Sequence, residues 1–324
     1  MEVLITGGAG FLGIKLTRAL LARGTLADAN GQQQPITRIL LLDRAAPQGL
    51  ADPRISVIEG DVADPAVMAR ALTPSIASVF HLAAVVSGEA EADFELGMRV
   101  NLDATRLLLE QARHHGNRPR VVFASSVAAF GGELPVQVLD STAPTPQGSY
   151  GIQKVIGELL VNDYSRRKFI DGRSIRLPTI TVRPGKANKA ASSFASGIVR
   201  EPLNGIDAIC PVPPETKVWV MSPRSAIANL VRAHEIDAGD IGTGGAISLP
   251  GLATTAGEMV AALARVAGDD VAKRVHWEND EAITRLVGSW PGSFLTPRAD
   301  SLGFVRDQNF DDIVRAYIAE DMKR

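Results

Sequence analysis

Short aliphatic and β-branched runs alternate with longer amphipathic stretches through the first half of the chain. Val3-Leu4-Ile5 and residues 39–42, 55–58, 78–82, 121–123 and 174–182 read as six strands. Residues 14–23, with Leu16, Ala19 and Leu20 on one face, read as a helix, as do 96–115 and 150–168. The strand runs are continuously apolar, which suits strands buried on both faces. Repeated strand–helix units predict an α/β fold with a Rossmann-type doubly wound parallel sheet. Residues 24–35 are polar and rich in turn formers, so they are expected to form an exposed loop.

Beyond Arg183 the pattern changes. Pro184, Gly185, Pro202, Gly205, Pro211, Pro213 and Pro214 interrupt the chain, and strand–helix units stop repeating. This predicts a smaller, mostly helical C-terminal substrate domain. Residues 1–183 are expected to bind the cofactor, with 217–247 returning to that domain, and 184–216 with 248–324 to form the cap.

Composition narrows the function classes. Lys plus Arg is 34 against Asp plus Glu 36, a formal net charge of -2 over 324 residues. That balance gives no global attraction to nucleic acid or anionic membrane. Arg166-Arg167-Lys168 is short and reads as the positive end of a helix. A single cysteine, Cys210, precludes an intramolecular disulfide. Residues 76–86 are too short to span a bilayer, and the N-terminus lacks the positively charged start of a secretory signal, so the cytoplasm is the expected location.

The first chemical signal is Thr6-Gly7-Gly8-Ala9-Gly10-Phe11-Leu12-Gly13, between the first strand and the first helix. Glycines there allow a tight turn and close approach of a pyrophosphate to the helix N-terminus. Asp43 ends the second strand, where a carboxylate accepts hydrogen bonds from ribose hydroxyls and repels a 2′-phosphate. The pair implies NAD. Arg44 follows and can accommodate a phosphate, which makes NADP the weaker alternative. A plain tight connection and a solvated loop acid are the bland readings.

The second signal is Ser126 after the fifth strand with Tyr150 and Lys154 four residues apart, one helical turn. Phenols titrate near ~10, so Tyr150 needs a nearby cation to act as a base, and Lys154 is placed to supply it. With Ser126 on the reacting oxygen, the set suits proton removal from an alcohol during hydride loss. Each residue alone has an ordinary explanation; their order after a dinucleotide-binding start is what makes them specific.

Together Gly7, Gly10 and Gly13, Asp61-Val62, His81-Leu82-Ala83-Ala84, Asn101, Ser125-Ser126, Tyr150, Lys154 and Arg183-Pro184 resemble the extended short-chain dehydrogenases over nearly the whole chain. The resemblance implies a cofactor site made of Gly7, Gly10, Phe11, Leu12, Gly13, Asp43, Asp61, Val62, Leu82, Ala83, Ala84, Asn101, Tyr150, Lys154 and Pro184. It implies Tyr150 as acid/base, Lys154 on the nicotinamide ribose, Ser126 on the substrate, a structural His81, and a homodimer. No metal is expected, because the five histidines lack ligand spacing.

Most members act on nucleotide sugars, but the segment after the sixth strand departs from their pattern. Residues 183–188, 190–197 and 219–224 instead resemble members that oxidise the 2-hydroxyl of a four-carbon sugar acid. Lys186, Asn188, Ser192, Ser193 and Arg183 are candidates for its carboxylate, against the reading that they are loop charges and turn formers. A nucleotide-sugar epimerase or 4-reductase, and a cofactor-sensing protein without turnover, are the rivals.

Overall fold

The computed structural model describes residues 1–185, 190–242 and 245–322. Seven strands form one parallel sheet: β1 (Glu2–Thr6), β2 (Arg38–Asp43), β3 (Ile55–Glu59), β4 (Ile76–His81), β5 (Arg120–Ser126), β6 (Asp171–Leu177) and β7 (Ile247–Ser248). Their spatial order is β7-β6-β5-β4-β1-β2-β3. The order reverses at β1, so the carboxyl ends of β1 and β4 flank a crevice suited to a ligand.

The strand period of two explains the continuous apolar runs. Val3, Ile5, Leu41, Phe80, Val122 and Ile175 face one side, against α1 (Phe11–Arg23) and a later helix, Pro223–Glu235. Leu4, Leu40, Leu42, Val79, Val121 and Phe123 face the other, against helices Pro65–Ala71, Ala104–His115 and Ser149–Arg166. The last of these is α2 below. The helix expected over 96–115 is interrupted by a π-helical segment, Met98–Asp103, which carries the buried Asn101.

Three sequence expectations are corrected. Residues 24–35 hold an antiparallel pair, Thr25–Ala27 with Gln33–Pro35, and not an exposed loop. Leu26 is buried in the core, and Glu235 ties the hairpin down by accepting from Ala27 N (3.0 Å) and Gln33 Nε2 (2.7 Å). The strand expected over 174–182 stops at Leu177, because Pro178 has no N–H for the ladder. Thr179–Ile180 turns away to join a separate sheet with Lys217–Met221 and Leu252–Thr255. Trp219-Val220-Met221 therefore lies outside the main sheet, while the helix after it does pack on that sheet and Ile247–Ser248 takes its edge.

A third core lies under the C-terminal part, where Phe194, Ile198, Val218, Met259, Leu263, Phe310 and Ile313 pack together. No described helix is long and apolar enough to cross a membrane.

Candidate active site

The glycine-rich turn is set by contact. Gly7 has φ +70°, and a Cβ there would lie 2.8 Å from Ala83 N; one on Gly13 would lie 2.3 Å from Gly7 O. Gly10 differs: a Cβ would meet only Gly7 O, at 3.1 Å, so this side is open to the cleft. Helix α1 begins at Phe11 with no side-chain cap and no acid in its first turn. Its first N–H groups are thus left for an anion, which fits a dinucleotide pyrophosphate. Asp43 stands behind the turn, accepting from Ala9 N (3.0 Å) and Arg44 N (2.7 Å).

The side wall comes from the end of β4. Ala83 N donates to Thr6 Oγ1 (3.3 Å), Thr6 to His81 Nδ1 (2.6 Å), His81 Nε2 to Thr105 Oγ1 (3.0 Å), and Thr105 to the Asn101 carbonyl (2.7 Å). Thr105 spends its proton on Asn101, which assigns the His81 tautomer. Burial, with Lys154's charge adding to it, takes His81 down to about 3, so the ring is neutral. Asn101 holds the next turn through Val85 N (2.8 Å) and Val85 O (3.1 Å) and reaches Gln153 Oε1 (2.7 Å). It shapes the wall from behind.

Helix α2 begins at Ser149, so Tyr150 sits in its first turn, where a negative charge is favoured. A Cβ on Gly151 would lie 2.1 Å from Ala128 O. Only glycine permits that approach, which brings α2 against the turn after β5 and Tyr150 within hydrogen-bond reach of Ser126. Burial pushes the Tyr150 phenol up to about 12, while the Ser126 hydrogen bond and the Arg183 charge pull it down. Lys154 donates to Ala124 O (2.8 Å), with Nζ 5.6 Å from the Tyr150 ring centroid. Burial lowers it to about 8, opposed by Glu158. In this arrangement Arg183 also acts on the phenol as a cation. Its guanidinium is lowered by burial and by Arg200, and its buried Nη2 has no hydrogen-bond partner among the described residues.

One cleft gathers Gly7, Gly10, Phe11, Leu12, Gly13, Leu82, Ala84, Ser126, Tyr150, Lys154, Arg183 and Ser192. Ala83 backs Gly7, and Pro184 follows Arg183 half-buried. Asp61 lies apart, paired with Arg99; burial pushes its carboxyl up, but Arg99 and Ala63 N outweigh it and hold it low. Val62 is buried in the core. Ser193 faces a neighbouring cleft with Phe194, Glu201 and Ile209. Lys186 and Asn188 lie outside the described residues. The sequence reading missed Ser87, Thr179 and Trp290, which also line the catalytic cleft. Trp290 sits between Gly288 and Pro291-Gly292, and an aromatic in such a turn is a signal that it is displayed.

Residues 3–212 match the NAD dependent epimerase/dehydratase family. The chain is 58% identical over 320 residues to a D-erythronate dehydrogenase of Cupriavidus necator, covering 99% of this chain and 98% of that protein. It is 43% identical over 323 residues to one of Haemophilus influenzae, covering 99% and 100%. A solved structure described as a nucleoside-diphosphate-sugar epimerase from Agrobacterium tumefaciens superposes with a TM-score of 0.92 at 42% identity, over 99% of this chain and 94% of that one. The chain thus belongs to the NAD dependent epimerase/dehydratase family, as a dehydrogenase acting on a CH–OH group with a nicotinamide cofactor.

Proposed function

We propose that this cleft oxidises the 2-hydroxyl of D-erythronate to 2-oxo-D-erythronate with NAD. The observation that carries the substrate reading is Arg183. A buried guanidinium N–H without a partner among the described residues, beside the Ser126–Tyr150 pair, suits a carboxylate one carbon from the reacting hydroxyl. The two D-erythronate dehydrogenases that match end to end support it.

Arg183 and Ser192 anchor the acid, Ser126 holds the 2-hydroxyl, and Tyr150 Oη receives its proton. Lys154 holds the nicotinamide ribose and adds positive charge behind the phenol. The cofactor, when bound along Gly7, Gly10 and α1, supplies the hydride acceptor. Asp43 favours NAD, with Arg44 leaving room for weaker use of NADP. Trp290 closes the cleft from the cap side and limits substrate length.

The nucleotide-sugar reading has the Agrobacterium structure in its favour. Against it, the adjoining cleft presents Glu91, Glu201 and Asp207 and no basic residue among its described lining, which is unsuited to a diphosphate. In the same reading residues 1–183 bind the cofactor and 184–216 with 248–324 the substrate. Exposed Phe94, Ile152 and Leu159 support pairing of two copies, and the proposed location is the cytoplasm.

The test is NADH formation by purified protein with D-erythronate, against L-threonate, other sugar acids and nucleotide sugars. Selective turnover of D-erythronate, abolished in Tyr150→Phe, is expected. Turnover of a nucleotide sugar with silence toward sugar acids would replace the substrate.

A further inference from the structure

Behind the catalytic pair lies a charged group that the proposed reaction does not use. Tyr150, Lys154 and Glu158 follow at four-residue steps, along one face of α2. Lys154 and Glu158 are both buried. Glu158 Oε1 accepts from Ser125 Oγ and from Arg176 Nε (2.9 Å), and its Oε2 from Arg176 Nη2 (2.7 Å). Ser125 is the neighbour of Ser126, and Arg176 lies one residue before the end of β6. Arg176 in turn stacks 4.7 Å from the centroid of the Phe130 ring.

A buried carboxylate is costly unless its oxygens are satisfied, and here the Arg176 fork and the Ser125 hydroxyl satisfy them. The same pairing leaves a negative charge one helical turn behind a buried ammonium whose own hydrogen bond goes to a carbonyl, Ala124 O. We propose that Glu158 is a positioning residue for the dehydrogenase reaction: clamped by Ser125 and Arg176, it keeps Lys154 protonated behind Tyr150. Glu158 and Arg176 then act on Lys154 with opposite signs. The carboxylate holds its proton, and the guanidinium tempers that hold.

Among the described residues the groups facing Lys154 are few. On its own helix they are Tyr150 and Glu158; on β4, His81, which is neutral; on β6, Arg176, acting across Glu158. Arg183 faces the phenol. Among the described residues none but Glu158 offers an anion to the ammonium, so the Lys154 charge is most sensitive to that residue.

The proposal rests on the Tyr150/Lys154 reading above, and its experiment separates the two. Profiles of kcat/KM against pH are measured with saturating NAD for the wild type, Glu158→Gln, Arg176→Met, Ser125→Ala and Tyr150→Phe. Loss of the Lys154 proton should appear as a falling alkaline limb. Glu158→Gln is expected to move that limb down by about one pH unit, about tenfold in kcat/KM on the limb, with little change in KM for the acid. Arg176→Met is expected to move it up. Ser125→Ala removes no charge, is expected to shift it slightly up, and keeps the test open if the Gln variant does not fold. Profiles that superpose on the wild type, or fall equally at every pH, would make the cluster a structural staple and overturn the proposal. An active Tyr150→Phe would instead overturn the catalytic reading itself.

Discussion

Strands β5 and β6 carry a buried ionic network at each end, and the two ends differ in one respect. At their amino ends Arg120 donates to Asp171 (3.0 Å) and to the His234 carbonyl (2.8 Å), while Arg173 pairs with Asp171 and reaches the Ile236 carbonyl (2.7 Å). That cluster is closed, and it ties the sheet to the helix Pro223–Glu235 and its C-terminal end. At their carboxyl ends Ser125, Glu158, Arg176 and Lys154 form a comparable set, but Lys154, Ser126 and Arg183 open onto a cleft. Both ends satisfy most of their charge with paired partners, as burial demands. The carboxyl end alone faces a crevice, where parallel strands and helix N-termini converge. The same interactions give a staple where solvent is shut out and a reaction site where it is admitted.

The sharpest way to break this comparison is to remove the reacting proton acceptor. Tyr150→Phe should lower kcat by ~10²–10⁴-fold while the protein still binds NADH, measured by fluorescence titration. At the opposite end Asp171→Asn leaves two buried guanidinium groups uncompensated. It should lower unfolding free energy by ~3–5 kcal/mol in denaturant titration, with kcat/KM per folded molecule unchanged. A large catalytic loss in folded Asp171→Asn would show that the two ends are coupled rather than separate.

Arg183→Met is intermediate. Charge-assisted hydrogen bonds contribute ~1.5–3 kcal/mol, so KM for the acid should rise roughly 10–100-fold. It should also move the pH profile. The Arg183 cation favours the phenolate, so without it the tyrosine titrates higher. The rising limb of kcat/KM for oxidation therefore shifts to higher pH. A variant with raised KM and an unmoved limb would leave Arg183 as a carboxylate anchor only.

What the sequence made legible divides along similar lines. The glycine turn, Asp43 and the Tyr150/Lys154 pair are local patterns whose geometry follows from strand, turn and helix periods. The strand–helix alternation likewise announces the parallel sheet. The hairpin over 24–35 escaped notice because two buried residues, Leu26 and Ala27, anchor an otherwise polar stretch. Adjacent Ser192 and Ser193 face different clefts because the 3-10 turn Ala191–Ser193 spreads its side chains around a tight axis, which composition cannot show. Glu158 had the right period, but its meaning depends on Ser125 and Arg176 from two separate strands.

Trp290 offers the smallest and most discriminating test, set against Trp219. Trp219 packs 5.3 Å from Phe294 by ring centroids and gives its indole N–H to Leu249 O (3.3 Å), so it is a structural side chain. Trp290 lines the cleft, on a segment pinned at both ends. Its backbone N–H reaches Val287 O (3.0 Å), a Cβ on Gly292 would lie 2.5 Å from Lys217 Cβ, and Ser293 O receives Val138 N (3.0 Å). A wall held this firmly does not yield to a longer substrate. Trp290→Ala should therefore raise kcat/KM for five- and six-carbon sugar acids relative to D-erythronate by roughly 10-fold, the scale at which an apolar wall discriminates size. Measured competition between the acids decides it. An unchanged ratio would mean that length is read by the polar anchors, Arg183 and Ser192, and that the indole only keeps water from the reacting carbon.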